Sequence, residues 1–567
     1  MRKHFWLIIG LSWLLAACGS RFFAPPTPTP LPPTPTFTVT PQPSPTTTPS
    51  PTPTLQLPDI DAFSIRTHPD GNLYTGDHIS LEIIVPDSAI IGGQYSLQVA
   101  DESGEILGEA DFTSFGIGGR QQATLFWVWD TAGLEAGAHE ISLTLLPDGL
   151  TWTKTITLLP EEELARTDRF ALWAYEESDC CLLYYITDTA AQRDIAALLT
   201  SADHQAADVM NQFDIEFDEP IIVTLMSRVI GHGGFAGSEI YISYLDRNYA
   251  GNDFDIVLHH EMVHILDAHL GGNLRPSILV EGVAVYLSGG HFKPEPLMPR
   301  AAALLDLVND ENGGSWYLPL APLADDFYAS QHEIGYLEAG ALVEFMVNTW
   351  GWDAFNKFYR QIEPGHGGQA AAIDRALQTH FGITLDTLET QFIAALNTLS
   401  PTPELRDDVR LTVDFYDTVR RYQQMLDPSA YFLSAWLPDG PQMRQYGITA
   451  DLARRPNSIE NITLETLLAT ADEQLQASQY SRGAEIVQAV NAVLTALEMG
   501  ATQPFDAHPV AAAYYAAVHW LTEIEYQVQR IYIEENGIRA EVSALGNYLM
   551  VLELGWDGEN VYLQQSQ

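Results

Sequence analysis

Polar and apolar positions alternate along residues 59–160 in short runs at 63–69, 78–85, 94–100, 105–112, 122–130, 139–146 and 151–159. Strand side chains point to opposite faces in turn, so each run predicts a strand with one buried face. Asp70-Gly71, Gly92-Gly93, Ser103-Gly104, Gly118-Gly119 and Asp148-Gly149 fall between the runs and supply turn residues. About seven strands at this spacing predict an all-β sandwich. Trp127 and Trp129 read as structural, one of them facing the core. A sugar-binding tryptophan face is the alternative.

The period changes after residue 160. Residues 170–175 and 182–186 read as strands, 190–213 as a helix and 221–226 as a strand. A glycine-rich turn at 231–237 precedes 238–244, which alternates and predicts a sheet strand. Gly233, Gly234 and Gly237 admit either close approach of a substrate backbone or a plain hairpin turn. Helical spacing then runs from Val257 until Gly271-Gly272-Asn273, a strong stop signal. Pro276 and Ser277 open a second helix over 278–288. Further on, 409–425 and 464–497 have helical periodicity. Residues 527–563 read as a β-meander with Asn536-Gly537 as a hairpin turn.

The amino-terminal residues form no core. Arg2 and Lys3 precede an apolar run at 5–15 that is too short to span a bilayer, so residues 1–20 read as a targeting segment. Leu15-Ala16-Ala17-Cys18 resembles the bacterial lipobox. That resemblance implies cleavage before Cys18, lipidation of Cys18 and anchoring to a membrane. Residues 21–58 are dominated by proline and threonine and predict an extended stalk of up to about 100 Å.

Composition removes some partners. The 567-residue chain carries a net charge of −47. Phosphate binding needs clusters of Lys and Arg, so nucleic acid is not an expected partner. The acidity reads as a solubility feature. Cys18, Cys180 and Cys181 do not make a disulfide framework, and the adjacent pair is expected as two reduced, half-buried strand residues, with a strained disulfide between them as the alternative.

The chemistry concentrates at His260-Glu261-Met262-Val263-His264. Residues four apart on a helix stack on one face, so two imidazoles there can hold one Zn²⁺. Glu261 is poorly angled as a ligand but reaches a water beside the metal. A catalytic zinc needs a third protein ligand and an open position. Glu281 is the only charge in the apolar helix at 278–288, where a carboxylate is costly unless paired or bound to metal. It is therefore the expected third ligand.

This sequence, with HEMVH followed by LVEGVAVYLSGG, resembles the gluzincin metallopeptidases of the thermolysin and M1-aminopeptidase superfamily, in particular the peptidase MA-like members. The resemblance implies His260, His264 and Glu281 as zinc ligands and Glu261 as general base. It also implies an edge strand before the zinc helix, here 238–244, that pairs with extended substrate. Residues 335–362 resemble the helix that opens with an oxyanion-stabilising tyrosine, which falls on Tyr336. A packed tyrosine is the alternative there, and Tyr328 is a weaker candidate for the role. Residues 376–396 look like the family's closing helices. Val285 replaces an acidic residue of thermolysin-like enzymes, and no G-x-M-x-N stretch is present, so endopeptidase action is expected rather than aminopeptidase action. Asp267 is read as an exposed surface acid, with a supporting role behind the ligands as the alternative. His232, His259, His269 and His332 are assigned no role.

The expected fold is multidomain. It comprises a leader at 1–20, a stalk at 21–58, an Ig-like β-sandwich at 59–160, an α+β gluzincin-like peptidase domain at 165–400, and an α+β region at 401–567. The expected function is that of a membrane-anchored, extracytoplasmic zinc metallopeptidase acting on peptide or protein substrates. The alternatives are a surface binding or adhesion lipoprotein with an inactive peptidase-like domain, and a zinc hydrolase of a non-peptide substrate.

Overall fold

Alternation of polarity becomes nine strands at the start of the computed structural model, which describes residues 62–86, 95–251, 253–308, 313–534, 537–544, 548–556 and 561–563. The leader with Cys18, the proline-rich stalk, the Gly92-Gly93 turn and Asn536 lie outside these residues. The chain divides into units at 1–56 and 57–567, and everything described belongs to the second. Among the described residues no helix is long and apolar enough to cross a membrane.

The strands are β1 (Ser64–His68), β2 (Leu73–Tyr74), β3 (His78–Ile84), β4 (Ser96–Ala100), β5 (Ile106–Asp111), β6 (Thr113–Phe115), β7 (Arg120–Asp130), β8 (Gly137–Leu146) and β9 (Leu150–Leu159). They form two sheets, ordered β1-β3-β7-β6 and β2-β9-β8-β4-β5. Ile79, Leu81, Ile83 and Leu125 of one sheet share a core with Leu97, Val99, Ile141, Leu143 and Ile156 of the other. Trp129 faces this core. Trp127 turns away at a positive φ of 47°, and its indole N–H donates to Asp451 Oδ2 at 2.9 Å.

Next come α1 (Arg166–Arg169), β10 (Trp173–Glu177), β11 (Cys181–Ile186), α2 (Ala190–Phe213), β12 (Ile221–Met226), β13 (Gly234–Ala236) and β14 (Ile240–Ser243). The sheet order is β10-β11-β12-β14-β13. Strands β11, β12 and β14 run parallel, while β10 and β13 are antiparallel edges. The segment expected as the edge is therefore an inner strand. Part of the glycine-rich turn pairs outside it, because residues 237–239 reverse the chain and set Gly234 against Ile242 and Ala236 against Ile240. The two adjacent cysteines, expected to be reduced, are joined as a Cys180–Cys181 disulfide. The tight reversal between β10 and β11, closed by Ser178 N–H donating to Cys181 O at 2.9 Å, brings their side chains together.

Helices follow: α3 (Phe254–Leu270), α4 (Ser277–Ser288), α5 (Leu297–Asp306), α6 (Leu320–Asp325), α7 (His332–Trp350), α8 (Trp352–Arg360), α9 (Gly368–His380) and α10 (Leu385–Leu396). The parallel strands and these helices bury one large apolar core. The chain ends with α11 (Pro403–Leu426), α12 (Gly440–Tyr446), α13 (Ala450–Ala453), α14 (Ile459–Gln476), α15 (Tyr480–Glu498), α16 (Pro509–Glu523) and the antiparallel strands β15 (Gln527–Glu534), β16 (Gly537–Ala544), β17 (Tyr548–Trp556) and β18 (Val561–Leu563). The single helical period read over 464–497 is broken at Ser478, whose φ is 58°, so α14 and α15 fold back on each other. The protein is thus a mixed α and β molecule with several sheets and separate cores.

Candidate active site

Helix α3 begins where Asp253 accepts from the backbone N–H groups of Asp255 and Ile256, a carboxylate N-cap at the positive end of the helix dipole. Two turns in, it presents His260, Glu261 and His264 on the side facing α4 and β13. Glu281, one turn into α4, points back at them. His260 Nε2 and His264 Nε2 are 3.0 Å apart, and Glu281 Oε2 is 3.3 Å from each.

These spacings can be tested against a metal. A tetrahedral cation with donors at about 2.0–2.1 Å has donor-to-donor edges of about 3.3–3.4 Å. The three measured edges approach that value, and all three donors turn inward to one point. The residues present therefore fit a zinc-sized cation. Burial penalises the Glu281 carboxylate, but the imidazoles of His264 and His260 outweigh it and hold its pKa well below the usual range. Burial pushes His264 down, while Glu281 beside it lifts it to about 9. A metal binding here would displace that proton, because imidazole ligates in its neutral form.

The surroundings orient the donors. Tyr328 donates its hydroxyl to Glu281 Oε1 at 2.7 Å, leaving Oε2 for the metal position. The weaker tyrosine candidate thus touches the donor cluster directly. Tyr336 lies one turn inside α7 rather than at its start, is buried, and stacks on His291 at 4.0 Å. Both tyrosines line the same cavity, of about 200 Å³, as His260, Glu261, His264 and Glu281. Glu261 is pushed above the ordinary carboxylate range by burial, against the pull of His264 and His260, and the Ala236 backbone N–H hydrogen-bonds to it. Strand β13 approaches α3 so closely that a Cβ on Gly234 would lie 2.4 Å from Val257 Cγ1 and 3.1 Å from Glu261 Oε1.

Asp267 is not the exposed acid that its position one turn past His264 suggests. It is fully buried, paired with the guanidinium groups of Arg275 and Arg360, and accepts from the Tyr359 hydroxyl at 2.9 Å. Arg360 also donates to the Asp267 and Gly271 carbonyls at the end of α3. This cluster fixes the loop between the two ligand helices. His259 bonds Gln205 and Gln212 of α2 at 2.9 Å each, and His269 pairs with Asp218 on the surface. Neither faces the site.

His232 and His332, which sequence reasoning left without a role, and His291, which it passed over, line the cavity. His291 follows the Gly289-Gly290 end of α4, and His332 opens α7. Burial pushes all three imidazoles well below their ordinary pKa. His232, His332 and Glu333 form a second group of closely spaced donor atoms among the described residues. A histidine between glycines at 231–234 was the one local signal available. The convergence of three such residues from separate elements left no trace in the spacing.

No protein-family model matches this chain, and no curated protein matches it.

Proposed function

We propose that this protein is a zinc-dependent metallopeptidase of gluzincin type, held at the extracytoplasmic face of a membrane by a lipid on Cys18, with an Ig-like amino-terminal sandwich. The convergence of His260 Nε2, His264 Nε2 and Glu281 Oε2 at 3.0–3.3 Å, with Glu261 on the same helix, carries this reading. His260, His264 and Glu281 would hold the metal. When bound, zinc polarises a water and the scissile carbonyl and offsets negative charge on the carbonyl oxygen.

Glu261 takes the proton of the attacking water and delivers it to the leaving amine. Its raised pKa suits a group that must both accept and return a proton. Tyr336 is proposed to donate to the developing oxyanion. Tyr328 holds the Glu281 carboxylate in orientation. The outer edge of β13, with no strand beside it among the described residues, can pair with an extended peptide and lay it across the cavity. An edge that binds backbone along its length fits an endopeptidase.

The test is cleavage of an unstructured protein by the zinc-loaded full chain in mild detergent, beside its Glu261→Gln variant. Cleavage by the parent, reduced at least about a thousandfold in the variant, is the expected outcome. One zinc per chain with cleavage by neither protein would favour the binding-lipoprotein reading. Absence of zinc binding would refute the proposal at its root.

A further inference from the structure

The cavity does not end at the three donors. Ring-to-ring steps of 5.6, 5.2 and 4.4 Å lead from His260 through His291 and His332 to His232. There the walls are aromatic: Phe432 stands 4.6 Å from the His232 ring and 4.3 Å from that of His332, and Phe292 stands 5.6 Å from His232. Ile117 completes the lining. It comes from the turn between β6 and β7 of the sandwich and is 43% exposed. That turn is seated by design of its glycines. A Cβ on Gly116 would lie 2.3 Å from the Leu433 carbonyl oxygen, and Gly118 N–H donates to the same oxygen at 2.9 Å.

His232 is the group in this chamber that needs explanation. It is 6% exposed, and neither ring nitrogen has a hydrogen-bond partner among the described residues. Glu333 Oε1 is 3.8 Å from Nδ1, beyond hydrogen-bond range. Both Glu333 oxygens are already held by Arg420, at 2.8 and 2.7 Å, and Gln331 also donates to Oε2. The carboxylate is thus paired, though with a guanidinium that also binds Asp417 at 2.6 Å, and that guanidinium opposes a second cation between His232 and His332. A buried polar group without a partner is costly until something completes it.

A neutral imidazole offers one donor and one acceptor. A charged side chain entering beside His232 would find Glu333, the carboxylate there, already held by Arg420. A purely aliphatic one would leave His232 unsatisfied. A phenol offers a ring to the aromatic walls and a hydroxyl that can donate and accept. The geometry points to this chamber as the specificity subsite of the proposed peptidase, built for an uncharged side chain with an aromatic body and a hydrogen-bonding tip, tyrosine above all. The inference rests on the peptidase reading for the nature of its ligand, a peptide.

The experiment measures binding, not turnover. Blocked alanine hexapeptides carrying a single Tyr, Phe, Leu or Asp are titrated calorimetrically into the zinc-saturated full-chain Glu261→Gln protein. The tyrosine peptide is expected to bind at least about tenfold more tightly than the phenylalanine peptide. Adding His232→Phe should bring the two within about twofold, while His232→Gln, which keeps a hydrogen-bonding tip, should retain the preference. Equal affinity for the Tyr and Phe peptides with His232 intact would overturn the assignment without any His232 variant having to fold. So would a second metal equivalent per chain that His232→Phe removes. If the tyrosine preference holds while the Glu261 parent cleaves nothing, the chamber stands and the peptidase reading falls. If the parent cleaves without that preference, the reverse is true.

Discussion

Asp267 shows how a residue's neighbourhood overrides its position. One turn beyond His264 it reads as a surface acid, yet Arg275 and Arg360 bury it completely. Its Arg360 partner is 93 residues away, a distance no local pattern encodes. Removing the charge leaves two guanidiniums short of a partner. Asp267→Asn is expected to destabilise by about 2–3 kcal/mol, below the roughly 3–5 typical of a fully buried pair because both arginines keep contact with solvent. Urea unfolding with an unchanged slope would measure it. The clustering of His260, His264 and Glu281 was legible for the opposite reason. His260 and His264 are joined by helical geometry alone, and Glu281 stands out as a charge among apolar neighbours. His232 and His332 become a chamber only through the meeting of a loop, a helix start and the segment around Phe432.

Among the elements, β13 matters out of proportion to its three residues. It was read as part of a turn because glycine carries no strand signal, and its pairing with β14 is set by tertiary packing. Gly234 is where β13 and α3 press together. Gly234→Val is expected to push β13 off α3, lowering cleavage about a hundredfold through misplaced substrate while zinc content stays at the parent level. Metal analysis beside a peptide assay separates that outcome from general collapse, in which both would fall. Seven of the nine sandwich strands were legible to within two residues at each end, since a half-buried sheet imposes a period of two, whereas β2 and β6, two and three residues long, are too short to show it. The α14–α15 break escaped because helical spacing continues on both sides of Ser478, and only Ser478, at positive φ, and Gln479, at ψ 56°, turn clearly out of the helical region.

At the scale of the whole molecule, carboxylates whose pKa the fold raises shape the pH behaviour, and the half-buried Asp472 is one of them. Asp472 is raised to about 6 by burial, with Gln476 donating to it and Arg530 and Lys293 too weak to compensate. Its ordinary value is 3.8. Between those two pH values the folded chain holds a proton that the unfolded chain has released, so this group's contribution to stability falls as pH rises from about 4 to about 6. Asp472→Asn removes that loss. Its gain in melting temperature over the parent is expected to be absent near pH 3, to grow through the interval and to level off above about 6, which thermal melts across the range would follow. A gain that shrank with rising pH would contradict the sign.

The seat of Gly116 and Gly118 on Leu433 also sets an order of events. The helices bearing His260, His264 and Glu281 emerge during synthesis well before Phe432, and the turn bearing Ile117 emerges well before either. A chain still being synthesised can own His260, His264 and Glu281 and yet lack part of the wall around His232. On the proposed reading, selectivity is thus the last property acquired, arriving only when the early turn at Ile117 is met by the late segment at Phe432.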